Sequence, residues 1–196
     1  MDKLIAQGAE AKLYEDDNSI IKHRVKKGYR IKEIDDMLRG FRTRREAKVL
    51  EKLKEIGFSS PKLIKSDGSE KLVIEKIKGD LVKDILSKKL CKEIGEKIAV
   101  LHSNNIIHGD LTTSNMLYNG EVYFIDFGLS FFSHKIEDKA VDLHLLKEGL
   151  KAKHNKIWEE CFSLIIKEYV KKNGKEVLKR LELVEKRGRY KQKNES

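Results

Sequence analysis

Over the first residues, apolar and polar positions alternate; further along, the period lengthens. Lys3–Gln7, Ala11–Glu15 and Ser19–Val25 have strand character, with turn residues between them at Gly8 and at Asp16-Asp17-Asn18. From Ile31 to Ile56 the apolar residues Ile34, Leu38, Phe41, Val49, Leu50 and Leu53 recur at helical spacing. Gly40 is the weak point of that helix and Gly57 its expected stop. Lys62–Lys65 and Leu72–Glu75 read as a hairpin around Ser66-Asp67-Gly68-Ser69. From Asp80 the pattern changes. Ile94, Ile98 and Leu101 form a helical stripe through Cys91–Asn104, and two short apolar strands, Met116–Tyr118 and Val122–Ile125, flank the turn Asn119-Gly120. Helical periods follow over Asp138–Leu150, Ile157–Lys171 and Lys175–Arg187, and the final basic residues read as a flexible tail. Strands gathered in the first part and helices in the second predict an α+β fold, divided into residues 1–79 and 80–196, the tail being 186–196.

At 196 residues and 22.7 kDa the chain is long enough for one core or two packed lobes, and should bury about 70% of the surface its unfolded form exposes. Charged residues make up 38% and hydrophobic residues 39%, which excludes disorder by composition. No apolar run approaches the ~20 residues of a membrane span, and Met1-Asp2-Lys3 opens without the apolar core of a signal peptide. Cys91 and Cys161 lack zinc-ligand spacing and read as reduced core thiols of a cytoplasmic protein. The net charge of +10 is uneven: residues 22–48 hold 11 basic and 4 acidic residues, and residues 151–196 hold 14 and 7. Two basic blocks suit a polyanion such as nucleic acid or a nucleotide phosphate, although lysine-rich helix faces are also common as solvated surface.

The chemistry concentrates in His108-Gly109-Asp110-Leu111-Thr112-Thr113-Ser114-Asn115 and in Ile125-Asp126-Phe127-Gly128. Asp-x-x-x-x-Asn is the spacing of a kinase catalytic loop, and Asp-Phe-Gly that of its metal site. Asp110 would accept a proton from a hydroxyl or a water. Asn115 and Asp126 would supply hard oxygens to Mg²⁺, which neutralises charge on the β- and γ-oxygens of a nucleotide. Each piece alone is ordinary turn chemistry; their order, with a hairpin between them, carries the reading. His108 is expected to brace the loop. Lys22 ends the apolar strand Ser19-Ile20-Ile21-Lys22, and Glu46 lies on the following helix, where an ion pair would hold the lysine against the α- and β-phosphates. Glu33 and Glu51 compete for that role. Gly8, Ala9, Glu10, Ala11 and Lys12 would form the hairpin that covers the phosphates, with only one glycine for the purpose. The backbone of Glu75 and Ile77 would meet the adenine edge.

With these residues in place, the sequence resembles the small atypical Ser/Thr kinase of the KEOPS complex, the machinery of threonylcarbamoyladenosine modification of tRNA. The resemblance spans nearly the whole chain. It rests on Gly8-Ala9-Glu10-Ala11, Ile21-Lys22-His23-Arg24, Tyr29-Arg30, Arg42-Thr43-Arg44-Arg45-Glu46-Ala47, the loop 108–115, Asp126-Phe127-Gly128-Leu129, Glu137-Asp138-Lys139-Ala140-Val141-Asp142-Leu143 and Arg187-Gly188-Arg189-Tyr190. It implies a two-lobed protein-kinase-like fold, ATP and Mg²⁺. It also implies a partner subunit of the sugar-kinase/actin-like class, to which some members are fused. Arg39, Arg42, Arg44 and Arg45 on the long helix, together with the basic tail, are the expected contacts to tRNA phosphates.

Departures from conventional protein kinases narrow the activity. Gly109 replaces the arginine that pairs with a phosphorylated activation loop. Pro61 is the only proline, so an Ala-Pro-Glu element is absent, and eight residues separate Gly128 from Glu137, too few for a peptide platform. Thr112 replaces the lysine that steadies the γ-phosphate. Hydrolysis is therefore better supported than transfer to protein, because water needs no docking surface. Two other readings stay open on sequence alone: a small-molecule phosphotransferase of the aminoglycoside- or choline-kinase type, which shares His-Gly-Asp, and a pseudokinase-like scaffold.

Overall fold

The computed structural model describes residues 3–193 apart from Ala9 and Asn173, with side chains as far as Arg187. The chain divides into two units: Met1–Lys78 with Tyr123–Leu129, and Gly79–Val122 with Ser130–Ser196. A single division at 79/80 puts Tyr123–Leu129 among the helices; its contacts put it with the sheet.

The first unit contains β1 (Lys3–Gln7), β2 (Ala11–Asp16), β3 (Ser19–Arg24), α1 (Lys32–Glu55), β4 (Leu63–Ser66) and β5 (Lys71–Glu75). The strands form one antiparallel sheet in the order β1-β2-β3-β5-β4. Val49, Leu50 and Leu53 of α1 are buried, as is Leu72 of β5. Gly57 ends the helix at φ +65°, with the Phe58 amide donating to the Leu53 carbonyl at 2.9 Å and the Gly57 amide to that of Lys54 at 3.2 Å, a Schellman closure that a residue without Cβ adopts freely. Phe58 then meets Phe124 edge to face, with ring centroids 5.5 Å apart. The Phe124 amide donates to the Ser59 carbonyl, and these contacts bring the segment 123–129 into this unit.

The first half of α1 departs from its apolar stripe. Ile34 and Phe41 are exposed, while Asp35, Gly40 and Thr43 are buried. Asp35 accepts from Arg39 at 2.8 Å and from the Lys27 amide at 3.3 Å, while the Thr43 hydroxyl is buried without a hydrogen-bond partner, so polar groups occupy the inner face there.

The second unit contains β6 (Asp80–Leu81), α2 (Val82–Ile85), α3 (Lys88–Ser103), β7 (Ile106–Ile107), β8 (Met116–Tyr118), β10 (Phe131–Phe132), α4 (Ile136–Lys153), α5 (Trp158–Tyr169) and α6 (Glu176–Lys193); β9 (Val122–Phe124) crosses into the first. β6 pairs with β8 and β7 with β10. Of these, β6, α2, β7 and β10 are too short to leave a periodic signal. Ser87 caps α3 by accepting from the Leu90 amide. Gly95 lets α3 approach α5, since a Cβ there would lie 3.0 Å from Glu168 Cβ and closer still to the Ile165 carbonyl oxygen. Cys91 and Cys161 are buried and free. α6 continues as helix to Lys193, so most of the stretch expected as a flexible tail has regular backbone. The side chains of Arg189 and Tyr190 lie outside the described residues.

Candidate functional site

Within the first unit, Lys22 and Arg24 sit two apart on β3, and both are buried, at 9% and 3% exposure. A strand places i and i+2 on one face, so both cations point to the side of the sheet that α1 covers. Glu46 answers them, accepting from Lys22 Nζ at 2.9 Å through Oε1 and from Arg24 Nη2 at 2.6 Å through Oε2. Lys22 also donates to Asp126 Oδ1 at 2.8 Å. Burial pushes the Lys22 amine toward its neutral form, but the charges of Glu46 and Asp126 outweigh it and hold its pKa above the ordinary lysine value. The lysine is therefore a permanent cation. Asp126 lies at φ +59°, a conformation few non-glycine residues adopt, and its side chain is 55% exposed despite the ion pair. Gly128 follows closely: a Cβ there would stand 2.8 Å from Lys22 Nζ and 3.1 Å from Asp126 Oδ1.

Within the second unit, the loop 108–115 is built around a buried acid. Asp142 of α4 accepts from the His108 amide through Oδ2 and from the Gly109 amide through Oδ1, both at 2.9 Å, and also meets His102 Nε2 at 3.2 Å. The other ring nitrogen of His102 meets the Tyr169 hydroxyl at 2.9 Å. Burial would raise the Asp142 pKa; the hydrogen bonds from His102 and the His108 amide, with the electrostatic attraction of the two histidines, prevail and hold the carboxyl below its usual range. Gly109 has φ +79°, which suits glycine and would strain a residue with a side chain. His108 is fully buried and its Nδ1 accepts from the Asp110 amide at 3.3 Å. Asn115 donates to the Asp110 carbonyl at 2.9 Å and to Asp110 Oδ2 at 2.8 Å, closing the loop. Thr112 packs against Gly149, its Cγ2 lying 3.3 Å from where a Cβ would be, tighter than ordinary van der Waals contact.

Lys22, Glu46 and Asp126 are thus gathered in one unit, and Asp110 and Asn115 in the other. The remaining expected residues are more dispersed in role. The Gly8 amide donates to the Ala11 carbonyl at 2.9 Å and closes the β1–β2 turn; Ala9 lies outside the described residues. Glu10 pairs with Arg42 and, at 3.8 Å, with Arg30. Ala11 and Lys12 stand opposite Arg24 and His23. The Glu75 amide is committed to the Lys62 carbonyl at 2.9 Å, and Ile77 lies beyond the end of β5. The arginines of α1 are largely engaged inside this unit: Arg39 with Asp35, Asp36 and Glu70, Arg42 with Glu10, and Arg44 with the Gly68 carbonyl. Arg24 and the Asp142–His102–Tyr169 network were not singled out from sequence. Arg24 has a signal in its two-residue spacing from Lys22, and Asp142 in being an acid set in the apolar register of Ala140, Leu143 and Leu146.

A RIO domain model matches residues 11–143, a span that holds Lys22, Glu46, Asp110, Asn115, Asp126 and Asp142. This chain belongs to the RIO domain family, in the group of the Bud32 proteins. It is 42% identical to the KEOPS complex subunit Bud32 of Pyrococcus abyssi, across 98% of both chains. It is 43% identical to the probable bifunctional tRNA threonylcarbamoyladenosine biosynthesis protein of Methanococcus vannielii, where 95% of this chain covers 36% of the longer one. Among solved structures, the Rio2 kinase–ADP/Mg²⁺–phosphoaspartate complex from Chaetomium thermophilum superposes with a TM-score of 0.63 over 95% of this chain and 70% of that one, at 15% identity. The chain therefore has a protein-kinase-like α+β fold. Among its described residues, no helix is long and apolar enough to cross a membrane.

Proposed function

We propose that this RIO domain is an ATP-dependent, Mg²⁺-using kinase and ATPase that serves a KEOPS-type tRNA-modification assembly in the cytoplasm. The observation that carries the proposal is a buried lysine held charged between two carboxylates, one of which, Asp126, remains half open to solvent. A buried cation so arranged suits phosphate oxygens, because Asp126 can release it to an incoming polyanion while Glu46 keeps it in position. Arg24 gives Glu46 a second cation, so Glu46 stays neutralised when Lys22 turns to phosphate.

Asp126 of the first unit and Asn115 of the second would each offer Mg²⁺ a hard oxygen, the ligand class that this ion prefers. Bound Mg²⁺ would offset charge on the nucleotide's phosphates. Asp110 orients or deprotonates the attacking hydroxyl or water, and Asn115 fixes its carboxylate through the 2.8 Å bond. Gly8, Ala9, Glu10, Ala11 and Lys12 cover the phosphates, and Glu75 and Ile77 lie beside the base. Water is the favoured acceptor, with Ser/Thr phosphorylation, including autophosphorylation, a side or regulatory activity.

The partner is a tRNA-modifying subunit of the sugar-kinase/actin-like class, and tRNA is the polyanion of the assembly. Relatives named as KEOPS subunits support this, as does the bifunctional protein of which a segment like this one forms about a third. Asp110→Ala tests the proposal. ATP turnover should fall by at least about 100-fold, the scale of losing a general base, while nucleotide binding stays within about threefold. Undiminished hydrolysis by purified Asp110→Ala protein would remove the assignment.

A further inference from the structure

The sheet of the first unit has a second face, opposite the one that carries Lys22 and Arg24. Lys22, Arg24 and Leu72 point to the α1 side and are buried; their neighbours along β3 and β5 point the other way. The register there places Tyr14 opposite Ile21, Ile21 opposite Val73, and Val73 opposite Lys65. The adjoining row runs through His23 to Lys71. Tyr14, Ile21, His23, Lys65, Lys71 and Val73 line an open concavity of about 500 Å³, to which Asp67 also contributes.

We infer that this concavity is an RNA-binding surface, where the Tyr14 ring stacks on an unpaired base and Lys65 and Lys71 meet the flanking phosphates. The inference rests on the proposal that RNA is a partner and locates the contact. An aromatic ring over an aliphatic floor, rimmed by cations, is the chemistry by which single-stranded nucleic acid is held without sequence readout.

The charge balance points the same way. Lys65 and Lys71 are exposed and make no ion pair among the described residues. The nearby acids are already engaged. Asp67 Oδ1 accepts from the backbone amides of Ser69, Glu70 and Lys71 at 2.8–2.9 Å, and Glu70 pairs with Arg39 and, at 3.3 Å, with His23. The unanswered charge on this face is therefore positive. By contrast, Arg39, Arg42 and Arg44 of α1 already have partners within the unit, which removes much of the competing basic surface.

The test measures binding of an unmodified tRNA transcript to the full chain between about 50 and 200 mM salt. Wild type is compared with Lys65→Glu/Lys71→Glu and with Lys89→Glu/Lys92→Glu, two exposed lysines of α3 that give the same change in net charge. The first pair should weaken binding about tenfold or more and flatten the log–log salt slope by about 1.4, as for two lost single-strand phosphate contacts. The control pair should change affinity by less than about threefold. Tyr14→Ala should weaken binding with an unchanged salt slope, because stacking releases no counterion. Thermal unfolding midpoints of all variants within a few degrees of wild type would confirm that folding is not the variable. Equal losses from both lysine pairs would overturn the surface and leave RNA binding standing. No binding of the transcript by wild type would overturn both. Loss of a protein partner from Lys65→Glu/Lys71→Glu, with RNA affinity intact, would assign the face to protein and overturn the inference.

Discussion

Exchanging Asp142 for asparagine removes one charge at nearly constant shape, and its effect can be worked out from the bonds. Oδ1 accepts from the Gly109 amide, and Oδ2 from the His108 amide and His102 Nε2. An amide has one oxygen. Placed at Oδ2 it keeps two of the three donors and turns its NH₂ against the Gly109 amide, donor to donor, at a site with 1% exposure. A buried unsatisfied donor costs about 1–3 kcal/mol, and replacing charge-assisted by neutral bonds costs about 1 kcal/mol more. The sum, about 2–4 kcal/mol, is a large part of the ~5–15 kcal/mol that stabilises an ordinary domain. Urea unfolding followed by circular dichroism at pH 7 should show the midpoint falling with an unchanged slope. The pH dependence supplies a second readout. The folded carboxyl has a depressed pKa, so its stabilising contribution is complete above the ordinary carboxylate pKa and is lost as pH falls through the folded value. Asp142→Asn lacks that limb, and the two stability curves should converge in acid. Asparagine within about 0.5 kcal/mol of wild type, with parallel pH curves, would refute the claim that this acid holds the loop 108–115.

Two further outcomes follow from the second unit. Gly95→Ala should lower stability by roughly 1–3 kcal/mol despite alanine's better helix propensity, because the new Cβ meets the α5 backbone; an unchanged melting temperature would contradict the close approach. His154 sits beside Thr113, with Nε2 3.0 Å from Oγ1, and burial depresses its pKa. The unfolded state therefore takes up a proton first, so this contribution is full above about pH 6.5 and declines on acidification. His154→Gln should flatten the stability profile between about pH 7.5 and 5.5, whereas identical slopes would exclude the histidine as its source.

Much of the site was legible because kinase-type chemistry is local in sequence. Asp110 and Asn115 share one loop, so their spacing alone sets their bond. Lys22 could be placed at the end of an apolar strand, and Glu46 on the next helix. Arg24 was harder, since a strand arginine two residues from a lysine is usually solvated; it becomes a partner of Glu46 only because α1 covers that face. Asp142 was quoted within a motif and given no task, since nothing near it in the chain says that it captures two amides more than thirty positions upstream. The α1 stripe misled for a related reason. Periodicity shows which residues share a face, and Ile34 and Phe41 stay exposed on theirs.

Strand and helix periods, the glycine at a left-handed turn, and the order of acids and amides along the chain belong to the sequence itself, because each depends on neighbours within a few residues. Three things were decided only by the folded structure: which lysine was buried against which glutamate, which acid anchored the loop 108–115, and which basic residues stayed uncompensated. Those depend on desolvation and on partners far apart in the chain, and an ion pair or a buried carboxylate has no energy to assign until packing removes the water around it.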